Sequence, residues 1–236
     1  PRPCPEDGGC GVQEVGGVLS DIGHSPRDPG TGTADLVRVH LDTLAVDIGS
    51  RQATVGRAVD CVVDSLAAGK TALVTALHVG GLLARRAEGF ADALASAEVV
   101  CADGRSVLLV AKVVARVDGE RAPTTDVGVP ILAGVQARLG RPLKVALLGG
   151  PEGLAAEAGQ TLAEQVGVEI VFARHGYADD WQPVVKDIAA SKADVLVVGL
   201  GSPKEAVWAR TYREQLGVGG ILTCGGWFGF LAGAET

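Results

Sequence analysis

The sequence predicts an α/β protein: a single Rossmann-like domain in which helices flank a mainly parallel sheet. Short apolar runs bounded by glycine and proline recur along the chain, and such runs are typical of buried parallel strands. Segments with apolar residues at helical spacing separate these runs. Because strands that alternate with helices need right-handed crossovers, the pattern predicts a parallel sheet. The 236 residues are enough for one such domain.

Composition sets the domain boundary and excludes several classes of function. Residues 1–35 are rich in Gly, Pro and Asp without a sustained period, which predicts a loosely ordered arm ahead of a domain at 36–236. The net charge of −7 and the 4% of aromatic residues argue against nucleic-acid binding. No apolar run is long enough to span a bilayer. The five cysteines lack a CxxC pair, which favours a reducing, cytoplasmic location.

The first half of the domain opens with strands and then alternates. We expect Thr54 to cap the first helix and Gly69 to end it. The strand before Asp103 ends in the turn Ala102-Asp103-Gly104. The predicted elements are one or two strands at 36–48, a helix at 54–68, a strand at 72–75, a helix at about 79–95, a strand at 98–101 and helices at 106–117 and 126–139, the last two separated by a polar loop at 119–126.

The second half alternates without a break, which favours one domain over two. Its strands are expected at 144–148, 169–173, 194–199 and 220–224, with helices beginning near Pro151, Asp180 and Pro203. The stretch at 194–204, DVLVVGLGSPK, is a buried strand followed by a glycine loop. We expect Ser202 to cap the next helix and Pro203 to be its first residue. The free amides of such a loop favour a phosphate, although the glycines could serve only a tight turn.

A nicotinamide dinucleotide is the alternative that these glycines raise. The cluster GGPEG at 149–153 follows a strand, but it lacks the G-x-G-x-x-G spacing. The next strand ends near Arg174 and His175, where a ribose-binding carboxylate would be needed. The sequence does contain Gly69-Lys70-Thr71, but Asp64 stands where a phosphate loop of the form G-x-x-x-x-G-K-S/T needs its first glycine. The pattern therefore disfavours a dinucleotide oxidoreductase.

Several loop motifs occur together in a characteristic order. They are VTALH at 74–78, ADG at 102–104, GERAPTTDV at 119–127, LLGGPEG at 147–153, RHGY at 174–177, VGLGSPKEAVW at 198–208 and GGWFGFLAG at 225–233. In sequence and spacing the chain resembles the WecG/TagA/CpsF glycosyltransferases, bacterial enzymes that move a sugar from a nucleotide donor. The resemblance runs from about residue 36 to residue 233.

The resemblance implies an inverting, metal-independent transfer from a UDP-activated sugar, typically an N-acetylhexosamine, to a prenyl-diphosphate-linked sugar. It implies Asp103 as the general base, since an inverting displacement needs one carboxylate to take the acceptor proton. Arg121 matches the arginine that would neutralise the leaving diphosphate. Thr75 matches a threonine near the reacting centre. Otherwise Asp103 is a turn residue, Thr75 a strand-end hydroxyl and Arg121 a solvated surface residue.

The same resemblance implies a set of substrate-binding residues, in which Tyr177 would pack against the uracil or bond the ribose and the glycine loops would line the donor. The set is His78, Asp126, Gly149, Gly150, His175, Gly176, Tyr177, Gly199, Gly201, Ser202, Lys204 and Glu205. No cofactor is implied beyond the nucleotide-sugar, which is the donor substrate. No spacing of His78, His175 and nearby carboxylates supports a metal site.

Three positions depart from the family pattern: Leu77 replaces an asparagine, Ala206 follows Glu205 where the family has Gln-Glu, and Gly229 replaces an aspartate. They leave two alternatives open, a different sugar donor or a nucleotide-sugar-binding module with weakened catalysis. Arg-rich and Ala-rich composition raises a third, a soluble natural-product acceptor. The family continues past the position of Thr236 with a basic appendage, so peripheral contact with the inner face of the membrane would come through that segment. A homo-oligomer also stays open.

Overall fold

The computed structural model describes residues 36–233 and confirms the α/β class. Eight strands form one sheet in the order β1-β2-β4-β3-β8-β7-β5-β6. Strand β1 runs antiparallel to β2, and every other neighbouring pair is parallel. The expected arm at 1–35 lies outside the described residues, so the boundary at residue 36 stays a prediction.

Strands and helices alternate along the chain. The strands are β1 (Val37–Leu41), β2 (Leu44–Ile48), β3 (Ala72–Leu77), β4 (Val99–Ala102), β5 (Lys144–Gly149), β6 (Glu169–Arg174), β7 (Val195–Gly199) and β8 (Gly220–Thr223). The helices are α1 (Arg51–Ala68), α2 (Val79–Leu83), α3 (Phe90–Ser96), α4 (Arg105–Ala115), α5 (Thr124–Leu139), α6 (Leu154–Val166), α7 (Gln182–Ser191), α8 (Lys204–Tyr212) and α9 (Trp227–Leu231). A 3-10 turn at Arg213–Gln215 follows α8.

Helices cover both faces of the sheet, which explains why the strands are apolar throughout. Successive strand residues point to opposite faces. In β7, Val195 and Val197 accordingly pack into one core with α1, α5, α6 and α9, while Leu196 and Val198 pack into the other with α3, α4, α7 and α8. None of the helices between residues 36 and 233 combines the length and apolar character that a bilayer crossing needs.

Two expected helix boundaries in the first half are wrong. Helix α1 begins at Arg51 and is capped by Ser50, whose Oγ accepts from the amide of Ala53 at 3.1 Å, so Thr54 lies inside the helix. Gly69 ends α1 in a left-handed conformation, as expected. The single helix expected at 79–95 is two short helices, α2 and α3. Gly89, in a left-handed conformation with φ 71°, lies in the segment between the two helices and directly precedes α3.

The start of α8 also differs from the expectation. The helix begins at Lys204, Pro203 occupies the cap position, and Ser202 makes no capping bond. The amide of Glu205, which a Ser202 cap could accept, already donates to the Gly201 carbonyl at 2.9 Å. The Glu205 carboxylate in turn accepts the amide of Gly201 at 3.1 Å.

Candidate active site

A cavity of about 560 Å³ opens where the parallel strands β3, β4 and β8 end. Because β4, β3 and β8 are neighbours in the sheet, their carboxyl ends meet at one edge, which is the usual place for a ligand. Four residues expected from the sequence line this cavity: His78, Asp103, Arg121 and Glu205. The remaining lining residues are Ala76, Pro123, Thr124, Thr125, Cys224, Gly225, Gly226, Trp227 and Phe230.

Asp103 is held at the end of β4. Its amide donates to the carbonyl of Leu77 at 2.9 Å, which fixes the turn against the end of β3. Partial burial raises the pKa of the Asp103 carboxyl above its ordinary value. His78 and Arg121 oppose this shift, whereas the charge of Asp126 adds to it. A carboxylate with a raised pKa is a stronger proton acceptor than an exposed aspartate.

His78 faces the same cavity from the start of α2. Its Nδ1 accepts a hydrogen bond from the amide of Gly80 at 3.0 Å. In the neutral imidazole the proton must then lie on Nε2, which makes that atom a donor. His78 therefore supplies a hydrogen-bond donor near Asp103, and its position was expected from the sequence.

Arg121 stands on a loop that is fastened on both sides. The amide of the next residue, Ala122, donates to the carbonyl of Ala102 at 2.8 Å, and Arg51 Nε donates to the Arg121 carbonyl at 3.2 Å. Asp126, an expected partner in the site, instead forms an ion pair with Arg51 at 3.0 Å. Within residues 36–233 the Arg121 guanidinium has no ion-pair partner, so it is available to an anionic ligand.

The N-terminus of α5 forms another wall of the cavity, which the sequence did not single out. Thr124 and Thr125 are its first residues and line the cavity, and Pro123 in the cap position provides no side-chain cap. Their amides point out of the helix without an intrahelical acceptor. The Thr124 hydroxyl donates to the Thr223 carbonyl at 3.2 Å, which ties the helix to β8. The P-T-T-D run is a helix-start signal that could have located this wall.

Glu205 is a buried carboxylate at the floor of the cavity, only 6% exposed. Its Oε2 accepts from the amides of Gly201 at 3.1 Å and Gly225 at 3.2 Å. Burial raises its pKa from 4.5 to about 7, against these hydrogen bonds and one from the Thr223 hydroxyl. The Gly201 amide, expected to be free for a phosphate, is therefore occupied by a side chain of the protein itself.

Thr75 lies beneath the cavity and is 2% exposed. Its hydroxyl pairs with that of Thr223 at 2.9 Å, and the Thr223 hydroxyl in turn bonds Glu205. Thr75 thus connects to the cavity through two other side chains and does not line it. Its expected catalytic role stays a prediction.

The glycines after β5, β6 and β7 form a second group, which braces three strand ends. The amide of Gly150 donates to Gly199 at 3.2 Å, and that of Gly176 donates to Gly150 at 2.9 Å. A Cβ on Gly149 would lie 2.3 Å from the Gly199 carbonyl oxygen. Close backbone packing therefore accounts for these glycines, and none of them lines the cavity. Their substrate-binding role stays a prediction.

Four other expected binding residues also lie outside the cavity lining. The rings of His175 and Tyr177 stack with centroids 6.0 Å apart, and the Tyr177 side chain is largely exposed. The Lys204 Nζ lies 5.4 Å from the centroid of the Trp181 ring. Ser202 is half-buried in the turn before α8. Across residues 36–233, no three His, Cys, Asp or Glu side chains are grouped so as to hold a metal ion.

Sequence reasoning missed the aromatic wall that α9 contributes. Trp227 is buried and Phe230 is half exposed, and both line the cavity. Helix α5 approaches so closely that a Cβ on Gly128 would lie 2.4 Å from the Trp227 ring. The motif GGWFGFLAG marked this segment, but periodicity alone does not tell which of its aromatic residues face a ligand.

The three positions that depart from the family pattern do not line the cavity, although each is next in sequence to a residue that does. Leu77 is fully buried and Ala206 is 2% exposed, and both belong to the core on the α3–α8 side of the sheet. Gly229 is buried within α9. In this fold, apolar residues at Leu77 and Ala206 complete the core, and a polar side chain there would need a buried partner.

The mostly parallel sheet has at its carboxyl edge a cavity lined by a carboxylate, by an arginine with no ion-pair partner among residues 36–233 and by a helix N-terminus, an arrangement typical of α/β enzymes. The sequence model of the Glycosyl transferase WecG/TagA/CpsF family matches residues 43–236, and the chain belongs to this family.

Curated relatives match a shorter stretch. An N-acetylglucosaminyldiphosphoundecaprenol N-acetyl-beta-D-mannosaminyltransferase of Staphylococcus aureus (strain NCTC 8325 / PS 47) is 40% identical over 87 residues, which cover 34% of this chain and 34% of that protein. The same-named proteins of strains COL and MRSA252 match equally. The match therefore spans about a third of the length of these relatives.

Proposed function

We propose that this protein is a glycosyltransferase that moves an N-acetylhexosaminyl group from a nucleotide-sugar to a hydroxyl of a prenyl-diphosphate-linked sugar. The observation that carries the proposal is the convergence of Asp103, Arg121 and the N-terminus of α5 on one cavity. Family membership supports the class of reaction. The name of the Staphylococcus aureus relatives supports an N-acetylmannosaminyl donor group and a lipid-linked N-acetylglucosamine acceptor.

Asp103 is the proposed general base. Its carboxylate lines the cavity and has a raised pKa because it is partly buried. It would take the proton from the acceptor hydroxyl as that oxygen attacks the anomeric carbon of the donor sugar. Attack from the face opposite the leaving diphosphate inverts the anomeric configuration, and the proton on Asp103 then leaves to solvent.

Arg121 and the N-terminus of α5 are proposed to hold the departing diphosphate. A guanidinium without an ion-pair partner among the described residues and two helix-start amides offer positive potential to one anion. Such groups stabilise the charge that develops on the leaving oxygen without a bound metal. This arrangement puts the phosphates near residues 121–125 and leaves the loop at 199–204 to other parts of the donor.

UDP is the proposed nucleotide, and the cytoplasm, at the inner face of the membrane, the proposed location. Both follow the family resemblance rather than a contact in the cavity. The alternative of a binding module with weakened catalysis rested on Leu77, Ala206 and Gly229. None of these three lines the cavity, so the alternative would require donor contacts outside that lining.

The proposal is tested with UDP-N-acetylmannosamine and a short-chain prenyl-diphosphate N-acetylglucosamine acceptor. Asp103→Asn keeps the shape of the side chain but removes the base, so kcat should fall by roughly 10²–10⁴-fold with the donor KM little changed. Asp187→Asn, on the exposed surface of α7, is the matched control and should retain full activity. An Asp103→Asn variant with unchanged kcat would refute the assignment of the base. Transfer to a soluble acceptor, but not to the prenyl-linked one, would refute the proposed class of acceptor.

A further inference from the structure

Arg51, the first residue of α1, contacts three residues of the segment 120–126, which carries Arg121. Its backbone amide donates to the Glu120 carboxylate at 2.9 Å, and its Nε donates to the Arg121 carbonyl at 3.2 Å. Its Nη2 lies 3.0 Å from Oδ2 of Asp126. A residue that does not line the cavity therefore contacts the cavity arginine and residues on both sides of it.

Backbone contacts also hold the loop before Arg121 against the start of α1. The amide of Glu120 donates to the carbonyl of Gly49 at 2.8 Å. The approach is so close that a Cβ on Gly119 would lie 2.8 Å from the Gly49 nitrogen. These contacts do not involve the Arg51 side chain, so we expect the loop to stay folded when that side chain is changed.

Asp126 is a carboxylate that opposes anion binding in the cavity. It lies in the first turn of α5, where a negative charge offsets the positive potential of the helix N-terminus. Burial is the larger cause of the raised pKa of Asp103, but the charge of Asp126 adds to it and therefore acts within the site. Oδ1 of Asp126 accepts from the Thr125 hydroxyl at 3.3 Å, and Oδ2 pairs with Arg51.

The Arg51 guanidinium lies between the backbone of Arg121 and the carboxylate of Asp126, since it contacts both. If Arg51 lost its charge, Asp126 would lose the cation that it pairs with. The long Arg121 side chain, which forms no ion pair with another residue of 36–233, would then be free to turn toward that carboxylate. Charge-assisted arginine–carboxylate pairs are among the strong hydrogen bonds, so the cavity would lose its free positive charge.

We propose that Arg51 is a positioning residue, which holds Asp126 and thereby keeps the Arg121 guanidinium free for the diphosphate of the donor. The side chains of Arg51 and Asp126 are 46% and 30% exposed, so their ion pair contributes little to stability. Its effect is on the charge that the cavity offers to a ligand. The inference rests on the proposed function, in which Arg121 binds the diphosphate.

Calorimetry of UDP binding to the full chain tests the proposal. Arg51→Gln should weaken binding roughly 10-fold, because the released Asp126 carboxylate competes for Arg121. Arg51→Gln/Asp126→Asn should regain most of the lost affinity, since no carboxylate is left to compete. If Arg51 only supported the backbone, the second change would rescue nothing. Arg57→Gln, which removes another exposed arginine from α1, is the matched control and should bind UDP like wild type. A double variant that binds no better than Arg51→Gln would overturn the proposal.

A titration of Asp103 without ligand separates this proposal from the proposed function. Burial raises the pKa of the Asp103 carboxyl. His78 and Arg121 lower this pKa, and Asp126 raises it. Because a released Asp126 repels a second negative charge, the pKa of Asp103 should be higher in Arg51→Gln than in wild type and should return in the double variant. Carbon-13 NMR of the carboxyl groups, assigned with Asp103→Asn, measures it.

The two measurements together distinguish the possible failures. A pKa of Asp103 that is equal in wild type and Arg51→Gln would overturn the role of Arg51, whatever the protein binds. The expected pKa change in a protein that does not bind UDP would support the hold of Arg51 on Asp126 and would refute UDP as the ligand.

Discussion

Among the single residues, Glu205 connects more of the site than any motif indicates. Its carboxylate joins the turn after β7 to the turn after β8 through the amides of Gly201 and Gly225. The Thr223 hydroxyl bonds both Glu205 and Thr75, so hydrogen bonds also link the carboxylate to β3. Because its pKa is raised to about 7, its charge changes within the range in which enzymes work.

The first prediction concerns Glu205→Gln and the pH dependence of stability. Between pH 4.5 and about 7 the folded protein holds the Glu205 proton while the unfolded chain has released it. The contribution of this group to stability is therefore complete below about pH 4.5, declines as pH rises and is lost above about pH 7. The glutamine side chain of the variant cannot ionise, so the variant should gain up to ~3 kcal/mol relative to wild type between pH 5 and 8.

Urea unfolding of both proteins at several pH values measures this gain. The glutamine oxygen can still accept the two glycine amides, so the fold should survive the change. Glu164→Gln, which replaces an exposed glutamate of α6, serves as the control and should leave the pH dependence of stability unchanged. A constant difference between Glu205→Gln and wild type across the whole pH range would contradict the prediction.

Sequence patterns predict only part of the site, because some of its residues contact partners that lie far away along the chain. Asp103 and Arg121 follow strand ends or lie in a polar loop, and strand ends of a parallel sheet share one edge. Glu205, however, contacts an amide 20 residues away, and no local pattern specifies that contact. Ser202 was expected to cap α8, but the Glu205 amide that its hydroxyl could accept donates to the Gly201 carbonyl instead.

At the scale of elements, the ends of β5, β6 and β7 are packed too closely for side chains. Gly149 has φ 151°, and a Cβ there would lie 2.3 Å from the carbonyl oxygen of Gly199. Gly150 and Gly176 continue the contact by backbone hydrogen bonds. The three turns therefore pack as one unit, and a substitution in one of them should displace the backbone of its neighbours.

The second prediction is that Gly149→Ala destabilises the protein by about 2–4 kcal/mol, because the new methyl group must displace the β7 backbone. Gly56→Ala is the matched control. Gly56 lies in α1 with no atom within 4 Å of a built Cβ. Since alanine is the better helix former, this variant should gain about 0.5–1 kcal/mol. Urea unfolding measures both, and equal effects of the two variants would show that the strand ends are not packed as described.

The sequence predicts the position of an element well where a single physical effect, such as burial, decides it. Each predicted strand of the second half was found within a residue or so, because a strand buried on both faces must be continuously apolar. Helix boundaries were less predictable, since several residues compete to cap. Ser50 caps α1 in place of Thr54, and a left-handed Gly89 lies between two helices where the apolar spacing indicated one.

For the whole molecule, the sheet consists of two halves that meet at the pairing of β3 with β8. The cavity lies at this junction, since β3 and β4 supply its walls from one half and β8 with α9 from the other. A ligand that contacts Arg121 and the turn at Gly225 therefore bridges the halves. Binding of such a ligand adds directly to the free energy of unfolding of the folded chain.

The third prediction follows from that linkage. UDP at a hundredfold excess over its Kd should stabilise the protein by about 2.7 kcal/mol and raise the melting temperature by several degrees. GDP and TDP should give smaller shifts if uracil is recognised. Arg121→Gln removes a charge-assisted contact and should weaken binding roughly 30-fold, which leaves less than about 1 kcal/mol of stabilisation at the same UDP concentration.

Arg57→Gln, which removes an exposed arginine from α1, is the control and should keep the full UDP shift. If the UDP shift were the same in Arg121→Gln as in wild type, the diphosphate would have to lie elsewhere. The glycine turns after β5 and β7 are the next place to look, because their loops match the family motifs but lie outside the cavity lining. Gly150→Ala would then be the variant to make, since its new Cβ would lie 2.7 Å from the Leu154 side chain and disturb that turn. The position of the phosphates thus decides which of the two strand-end groups holds the donor.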